Sequence, residues 1–404
     1  MTQADWGELS RILFWPTTML LYLGAMLASM YAHAFTRVAR EDGDTPVAGR
    51  RGQALATTLA AVGVLAHLAH LVTRSLGSGG RVPWGNMFEY SSVIAFIVVA
   101  AGLVIFQWRL RKPQVMSMLL LGALLTMGAA LLVYTEPGPL QPILNSHWLK
   151  IHVTAIVLAA GVFTVAFVFN GLHLLRDTAE RRVAASRQMA GSTVGAASAS
   201  DLVEQRPDGR PRGLADPDQD EFTEGVPQRD AVEDGRIDDG ADDDRAYGLA
   251  LRATINPWML FAGSWLAAAT MSWVWLDITR FLTVNTVFAG AAVMAWWLLP
   301  NLPTAATLDA LTYRTIAFGF PIWTFAVMAG AVWAEQSWGR YWGWDPKETS
   351  AFLTWVGYAA YLHARATRGF KGRTASIFGL GAYWIMLFTY YAVNLVIVGL
   401  HSYA

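Results

Sequence analysis

The sequence has no cysteine among its 404 residues. A chain without thiols forms no disulfide and cannot itself pass electrons through a dithiol, so disulfide scaffolds and thiol oxidoreductases are excluded. Charged residues are also scarce, at 15%, whereas hydrophobic residues make up 54% and the mean hydropathy is positive. This composition is too apolar for an ordinary soluble domain. It predicts a lipid-embedded protein, for which we expect no nucleic-acid partner.

Apolar stretches long enough to cross about 30 Å of hydrocarbon as helices recur along the chain. They lie at 17–35, 54–73, 90–108, 114–134, 151–175, 257–276, 281–300, 315–334, 346–364 and 376–399. The fold class that we predict is therefore all-α, a polytopic membrane helical bundle of about ten transmembrane helices.

Basic residues in the short loops predict how these spans are oriented, because such loops are retained on the cytoplasmic side. Sixteen arginines and lysines fall on one side of the predicted spans and seven on the other. With the basic side placed inside, both termini are predicted to be extracytoplasmic. The polar, aromatic segment 334–352 then also lies outside.

One segment interrupts the membrane pattern. Between Asp201 and Arg245 there are 16 acidic and 6 basic residues and few apolar ones, a composition typical of disorder. Four regions are predicted. They are five membrane spans in 1–176, an acidic disordered cytoplasmic linker in 177–250, two additional spans in 251–307, and a final region with its flanking helices in 308–404.

Segment 334–352 reads AEQSWGRYWGWDPKETSAF. Its WDPKE sequence predicts a helix start, with Asp345 as the N-cap, Pro346 at the first helical position and Glu348 completing a capping box. That structural interpretation leaves the aromatic residues unexplained. They are Trp338, Tyr341, Trp342 and Trp344.

An aromatic belt at the membrane interface is one explanation for this cluster. Four aromatic residues within seven positions exceed what anchoring needs. A flat apolar surface with indole N–H donors suits a large planar ligand such as a porphyrin. Its carboxylates would then be held by Arg340 or Lys347.

The histidines support a porphyrin ligand, because heme iron accepts axial imidazole. His147 and His152 lie where span five begins outside, and His401 lies outside after span ten. A hydrogen-bonded interfacial anchor is the alternative role for each. Within the membrane, helical rise places His67 about 24 Å and His363 about 3 Å from the inner boundary. These two are therefore not expected to share one iron, and His363 would take its partner ligand from elsewhere, for example from another subunit.

The sequence resembles a known family in several segments. WGRYWGWDPKETSAFLTWVGYAAYLHAR is similar to the tryptophan-rich WWD segment of the CcsA (also called ResC) proteins of System II cytochrome c maturation. The flanking segments GRVPWGNMFEYSS, LNSHWLKIHV, LDALTYRTIAFGFPIWTFAVMAGAVWAE and YYAVNLVIVGLHSY agree with it. The resemblance covers most of residues 55–175 and 308–403. The acidic linker and the spans between 257 and 300 depart from the family pattern.

The resemblance implies heme handling in the cytoplasmic membrane of a bacterium, with the active face outside. Such proteins bring heme b to the outer face and, with a CcsB (ResB) partner, attach it to the Cys-X-X-Cys-His motifs of apocytochrome c. This chain would then form part of a holocytochrome c synthase. A thioredoxin-like protein would reduce the acceptor thiols. The alternatives are a heme exporter, with attachment by the partner alone, and a b-type electron-transfer subunit.

The resemblance also implies roles for particular residues. His152 and His401 match the two outer heme ligands, and His363 matches an intramembrane ligand whose counterpart lies in CcsB. The matches to the WWD motif itself are Trp338, Trp342, Trp344 and Asp345. His67 matches a histidine often seen in the second span of the family, and we assign it no firm role.

Overall fold

The computed structural model describes residues 1–36, 47–109, 115–139, 144–201, 247–272, 277–367, 369–397 and 399. Every regular element within these ranges is a helix, which confirms the all-α prediction. Most of the predicted acidic linker, residues 202–246, lies outside the described residues, as does His401.

The described residues form a series of helices. The helices are α1 Gln3–Ile12, α2 Met19–Thr36, α3 Val47–Gly77, α4 Met87–Ala101, α5 Met116–Leu132, α6 His147–Asp201, α7 Pro257–Ser272, α8 Ile278–Leu298, α9 Ala305–Trp338, α10 Pro346–Thr367, α11 Arg373–Tyr390 and α12 Ala392–Leu395. The π-helical segments Leu13–Thr18 and Gly102–Arg109 join α1 to α2 and extend α4. A 3-10 turn, Leu299–Asn301, follows α8.

Seven helical segments among the described residues are long and apolar enough to cross a membrane. They are Gln3–Ala32, Gly49–Gly77, Met87–Arg109, His147–Met189, Ile278–Asn301, Ala305–Trp338 and Arg373–Asn394. The other three predicted spans coincide with α5, α7 and α10, which are shorter or more polar. The protein is therefore a helical membrane protein, whereas ten crossings and the outward termini stay predictions.

Helices α6 and α9 pack closely at the centre of the bundle. A Cβ atom built on Gly319 of α9 would lie 2.8 Å from Phe163 Cε1 and 2.9 Å from Val162 Cγ1 of α6. Phe163 is fully buried and stacks on Tyr358 of α10, with ring centroids 3.8 Å apart. Small residues allow helix backbones to approach each other in lipid, where no hydrophobic force drives helices together. Gly319 therefore sets the spacing between α6 and α9.

Ion pairs close the end of the bundle that is predicted to face the cytoplasm. Arg365 of α10 donates to both carboxylate oxygens of Asp309 in α9, at 2.6 and 3.0 Å. The backbone N–H of Gly372, which precedes α11, also donates to Asp309, at 3.2 Å. One carboxylate thus joins α9, α10 and the start of α11.

Helix α6 continues past the predicted span as a stalk. Its 55 residues correspond to about 80 Å, far more than a bilayer requires. In the stalk, Arg176 pairs with Glu180 and donates to the Leu299 carbonyl at 2.7 Å. Further along, the guanidinium of Arg187 lies over the ring of Tyr247. The stalk is therefore packed against the segments that precede α7 and follow α8.

The tight contact at Gly319 leads to a first prediction. Replacing Gly319 with Leu should overpack the α6–α9 interface and cost about 2 kcal/mol or more, because Phe163 is held by Tyr358 and cannot move away cheaply. The measurement is the thermal unfolding midpoint of the detergent-purified protein. Gly171→Leu on α6 is the matched control, since a Cβ there meets no atom within 4 Å. Equal loss of stability in both variants would contradict the prediction.

Candidate functional site

A cavity of about 530 Å³ opens at the predicted outer end of the bundle. Its walls come from α4, α6, α9, α10 and α11 and from the loop between α3 and α4. Along α6 the lining runs from Leu149 to Thr164, a distance of about 20 Å by helical rise. At the Thr164 end of this lining there is a polar contact: Thr164 Oγ1 lies 3.1 Å from the hydroxyl oxygen of Tyr383.

Among the described residues, His152 is the histidine that lines this cavity. Its Nδ1 atom lies 2.7 Å from the carbonyl oxygen of Ala326 in α9. A carbonyl only accepts hydrogen bonds, so Nδ1 carries the proton and the lone pair of a neutral ring is on Nε2. A Cβ atom on Gly330 would lie 2.8 Å from His152 Nδ1. Glycine at position 330 therefore leaves room for the imidazole against α9.

Aromatic side chains make much of the remaining wall. Tyr341 and Trp342 line it from the segment that precedes α10. Trp84 joins them from the α3–α4 loop, and Trp323 and Trp333 join them from α9. Trp338 is not among the lining residues but packs edge to face on Trp333, with centroids 4.9 Å apart. Of the tryptophans in the predicted WWD motif, the structure thus places Trp342 at the cavity and Trp338 behind its wall.

Trp344 occupies a strained turn at the rim. Its φ angle is +57°, a left-handed conformation that is a genuine outlier for a bulky residue. The side chain is 67% exposed and lies edge to face with Trp342 at 5.8 Å. The turn therefore presents one indole to the cavity and the next one outward.

Glu348 holds this turn in place. Its Oε2 atom accepts hydrogen bonds from the backbone N–H groups of Gly343, at 2.8 Å, and Asp345, at 3.2 Å. The second of these is the carboxylate half of the predicted capping box, with α10 starting at Pro346 as expected. Asp345 itself is buried. The same turn therefore caps α10, as predicted from WDPKE, and sets the positions of the Trp342 and Trp344 indoles.

The two cations predicted to hold the carboxylates of a ligand lie in different surroundings. Lys347 lines the cavity. Arg340 is exposed and is not a lining residue. A third cation, Lys150, joins the wall from α6.

The C-terminal segment returns to this same end of the bundle. A Cβ atom on Gly399 would lie 2.8 Å from Asp345 Oδ1 and 3.2 Å from Pro346 Cδ, so the backbone at Gly399 packs on the start of α10. His401 lies outside the described residues, and its role as an outer ligand stays a prediction. Gly399 precedes His401 by two residues in the sequence and lies beside the WWD segment in the structure.

The other predicted histidines lie apart from the cavity. His147 is exposed at the start of α6. His363 is exposed on α10, on the helical face that also carries Phe352 and Val356. His67 is fully buried, with its ring nitrogens 3.2 Å from the Tyr22 hydroxyl and 2.9 Å from Ser92 Oγ. His67 therefore has the surroundings of a hydrogen-bonded core residue.

Sequence reasoning overlooked several cavity residues. Arg81 and Trp84 line the cavity from the α3–α4 loop, and Tyr390 lines it from the end of α11. The tyrosine hydroxyl lies 2.8 Å from Ser91 Oγ and 3.0 Å from the carbonyl of Met87. The segment GRVPWGNMFEYSS, which resembles the family, contains Arg81, Trp84 and Ser91. That resemblance was the signal that could have identified them.

Taken together, these groups can hold a flat apolar molecule with acidic substituents. Aromatic rings offer stacking surfaces, an imidazole offers a lone pair, and lysine offers positive charge. No group of three His, Asp or Glu side chains suited to a bare metal ion occurs within the described ranges. An iron already held in a macrocycle needs only one or two axial ligands, so the cavity suits such an iron.

Comparison with known proteins gives consistent matches. The model of the cytochrome C assembly protein family matches residues 84–401. The chain is 31% identical to a cytochrome c biogenesis protein CcsA of Rippkaea orientalis over 372 residues, which cover 87% of this chain and 89% of that protein. It is 52% identical to CcsA of Microcystis aeruginosa over 103 residues, or 26% and 31% of the two chains. CcsA of Synechococcus elongatus is 44% identical over 152 residues, or 35% and 46%.

The role of Glu348 can be tested at the rim. Glu348→Ala should free the 343–345 turn and lower stability by about 1 kcal/mol, because two backbone N–H groups lose their acceptor. Glu348→Gln keeps an acceptor oxygen and should retain most of the stability. The measurement is the rate of chymotrypsin cleavage at the exposed aromatics Tyr341 and Trp344, together with the thermal midpoint. Equal cleavage of the Ala and Gln variants would show that the carboxylate does not fix the turn.

Proposed function

This chain belongs to the cytochrome c assembly protein family, and we propose that it binds heme in the outer cavity and presents it for covalent attachment to apocytochrome c. The observation that carries the proposal is His152, which lines an aromatic cavity with its Nδ1 proton donated to Ala326. This contact fixes the tautomer whose Nε2 lone pair can ligate iron. His401 would supply the second axial imidazole.

Other cavity residues contact the porphyrin ring and the propionates of heme in this proposal. The porphyrin faces stack on Trp342 and neighbouring rings, and a propionate pairs with Lys347. Trp338, Trp344 and Asp345 support this arrangement indirectly, because they pack behind the wall, form the rim and start α10. Heme b is thus a substrate of this chain and is released attached to another protein.

Attachment itself needs orientation more than a catalytic group of this chain. Each acceptor thiol adds across a heme vinyl group, so its sulfur bonds to one vinyl carbon and its hydrogen goes to the other. Two such additions form two thioethers and consume no oxidant. The chain has no cysteine and supplies no covalent nucleophile, and its contribution is to hold the vinyl edge within reach of the thiols.

The remaining steps involve partners. His363 is exposed on α10, where a second subunit of the CcsB (ResB) type would provide the opposing ligand and pass heme outward. A thioredoxin-like protein would keep the Cys-X-X-Cys-His thiols reduced. The histidine of that acceptor motif would then displace one axial ligand and ease release. The complex as a whole would act as a holocytochrome c synthase.

The main test is the removal of the cavity imidazole. His152→Ala should remove the part of the bis-imidazole heme absorption that comes from the cavity, leaving only the part due to the site at His363 in the protein purified with its partner, and should reduce cytochrome c maturation to a small fraction. His152→Gly should regain part of both signals when imidazole is added, because the free base can occupy the vacated position. His147→Ala is the matched control, five residues earlier on the same helix and exposed. It should behave like the wild type.

Two outcomes would change the proposal. Full maturation by His152→Ala, without added imidazole, would exclude this histidine as a required ligand. The second outcome is normal heme binding at the cavity, with heme attached to the acceptor by the partner alone. That result would reduce the role of this chain to heme export.

A second test compares the two candidate cations. Lys347→Gln should weaken heme binding about tenfold, because a charge-assisted contact to a propionate is lost. Arg340→Gln should change heme affinity less than about twofold, since Arg340 is exposed and is not among the lining residues. Spectrophotometric titration of the apoprotein with heme gives both values. A larger loss in Arg340→Gln would reverse the assignment.

A further inference from the structure

Behind the cavity wall formed by the α3–α4 loop lies an ion cluster centred on Glu89. This carboxylate is fully buried. Its Oε1 accepts from Arg74 Nε at 2.9 Å and from Arg81 Nη2 at 2.8 Å. Its Oε2 accepts from Arg81 Nη1 and from the backbone N–H of Gly85, both at 2.7 Å. Four donors occupy about four lone-pair positions, so the carboxylate has no capacity left for a ligand.

The cluster is not electrically balanced, because two guanidinium groups share one carboxylate. Arg74 is 1% exposed, its guanidinium lies over the rings of Phe88 and Tyr134, and it also donates to the Thr135 carbonyl. Arg81 is 13% exposed and lines the cavity. The excess positive charge of the cluster therefore reaches the cavity through Arg81.

The donors of Arg81 are nearly all used for positioning. Its Nε donates to the Gly138 carbonyl at 2.8 Å, and Nη1 donates to the Val82 carbonyl at 3.2 Å as well as to Glu89. Nη2 donates to Glu89 once. A guanidinium has five N–H groups, and these four bonds leave one N–H on Nη2 without an acceptor among the described residues. The fork is thus fixed in place with one donor to spare.

The charges that line the cavity favour an acidic ligand. Among the described lining residues there are three cations, Arg81, Lys150 and Lys347, and one carboxylate, Glu348, which is an excess of two positive charges. Positive charge beside apolar walls is costly unless an anion accompanies it. A ligand with two carboxylates would balance this excess.

We propose that Arg81 is a second carboxylate-binding group of the cavity and that Glu89, with Arg74, positions it. The inference rests on the proposed function, since it assigns the second heme propionate to Arg81 beside the first one at Lys347. The rival interpretation is that Glu89 and Arg81 only hold the loop against the segment that contains Gly138. The two interpretations differ in whether Arg81 distinguishes a free carboxylate from an ester.

The experiment titrates the full chain, purified with its partner subunit, with iron protoporphyrin IX and with its dimethyl ester. Arg81→Gln should weaken binding of the free acid about tenfold and leave binding of the dimethyl ester within about twofold, because only the acid offers a charged acceptor. Arg81→Lys keeps a cation beside Glu89 and thus preserves the wall. It should retain more of the preference for the acid than Arg81→Gln does.

Arg11→Gln is the matched control, because Arg11 forms an exposed pair with Glu8 on α1. It should bind both porphyrins as the wild type does. Equal weakening of acid and ester in both Arg81 variants would show a purely structural role and overturn the inference, and so would wild-type binding of both porphyrins by both variants. Failure of the wild type to bind either porphyrin, or binding that does not depend on His152, would instead overturn the proposed function and the inference with it.

Discussion

The hydrogen bond from His152 to the Ala326 carbonyl is the contact on which the site depends. It requires α6 and α9 to lie close together at the predicted outer end of the bundle, which Gly330 permits. It also requires an α-helical carbonyl to accept a second donor, which its two lone pairs allow. The bond fixes both the rotation of the imidazole and its tautomer. A histidine without that constraint would be an ordinary interfacial residue.

Charge in the cavity is arranged in two layers. Lys347 stands directly on the wall in the first turn of α10, whereas Arg81 is held from behind by Glu89. An arginine fork fixed by a buried carboxylate loses little freedom when it binds, and a lysine on a flexible stem loses more. For the proposed ligand, Lys347 would therefore give an adaptable contact and Arg81 a fixed one.

Much of the fold could be predicted from composition and local signals, because apolar runs report helices and WDPKE reports a helix start. The candidate site could be predicted from the sequence only in part. The sequence could not decide between Arg340 and Lys347, since the direction of each side chain depends on the turn that Glu348 holds. Arg81 and Tyr390 were overlooked, because loops and helix ends far apart in the chain meet only after the bundle packs. The stalk by which α6 continues past the predicted span was also unforeseen, as its polar residues lack the apolar period of a span.

Gly319 and Gly330 lie 11 residues apart on α9, which is about three helical turns, so both face α6. One adjoins the ring of Phe163 and the other the imidazole of His152. During divergence, a side chain could be gained at either position only together with a change on α6. At position 319 the compensating change would be a smaller residue at 163, and coevolution of that pair could proceed freely. At position 330 the compensating change would fall on His152, the proposed iron ligand, so Gly330 could change only at the expense of that proposed role.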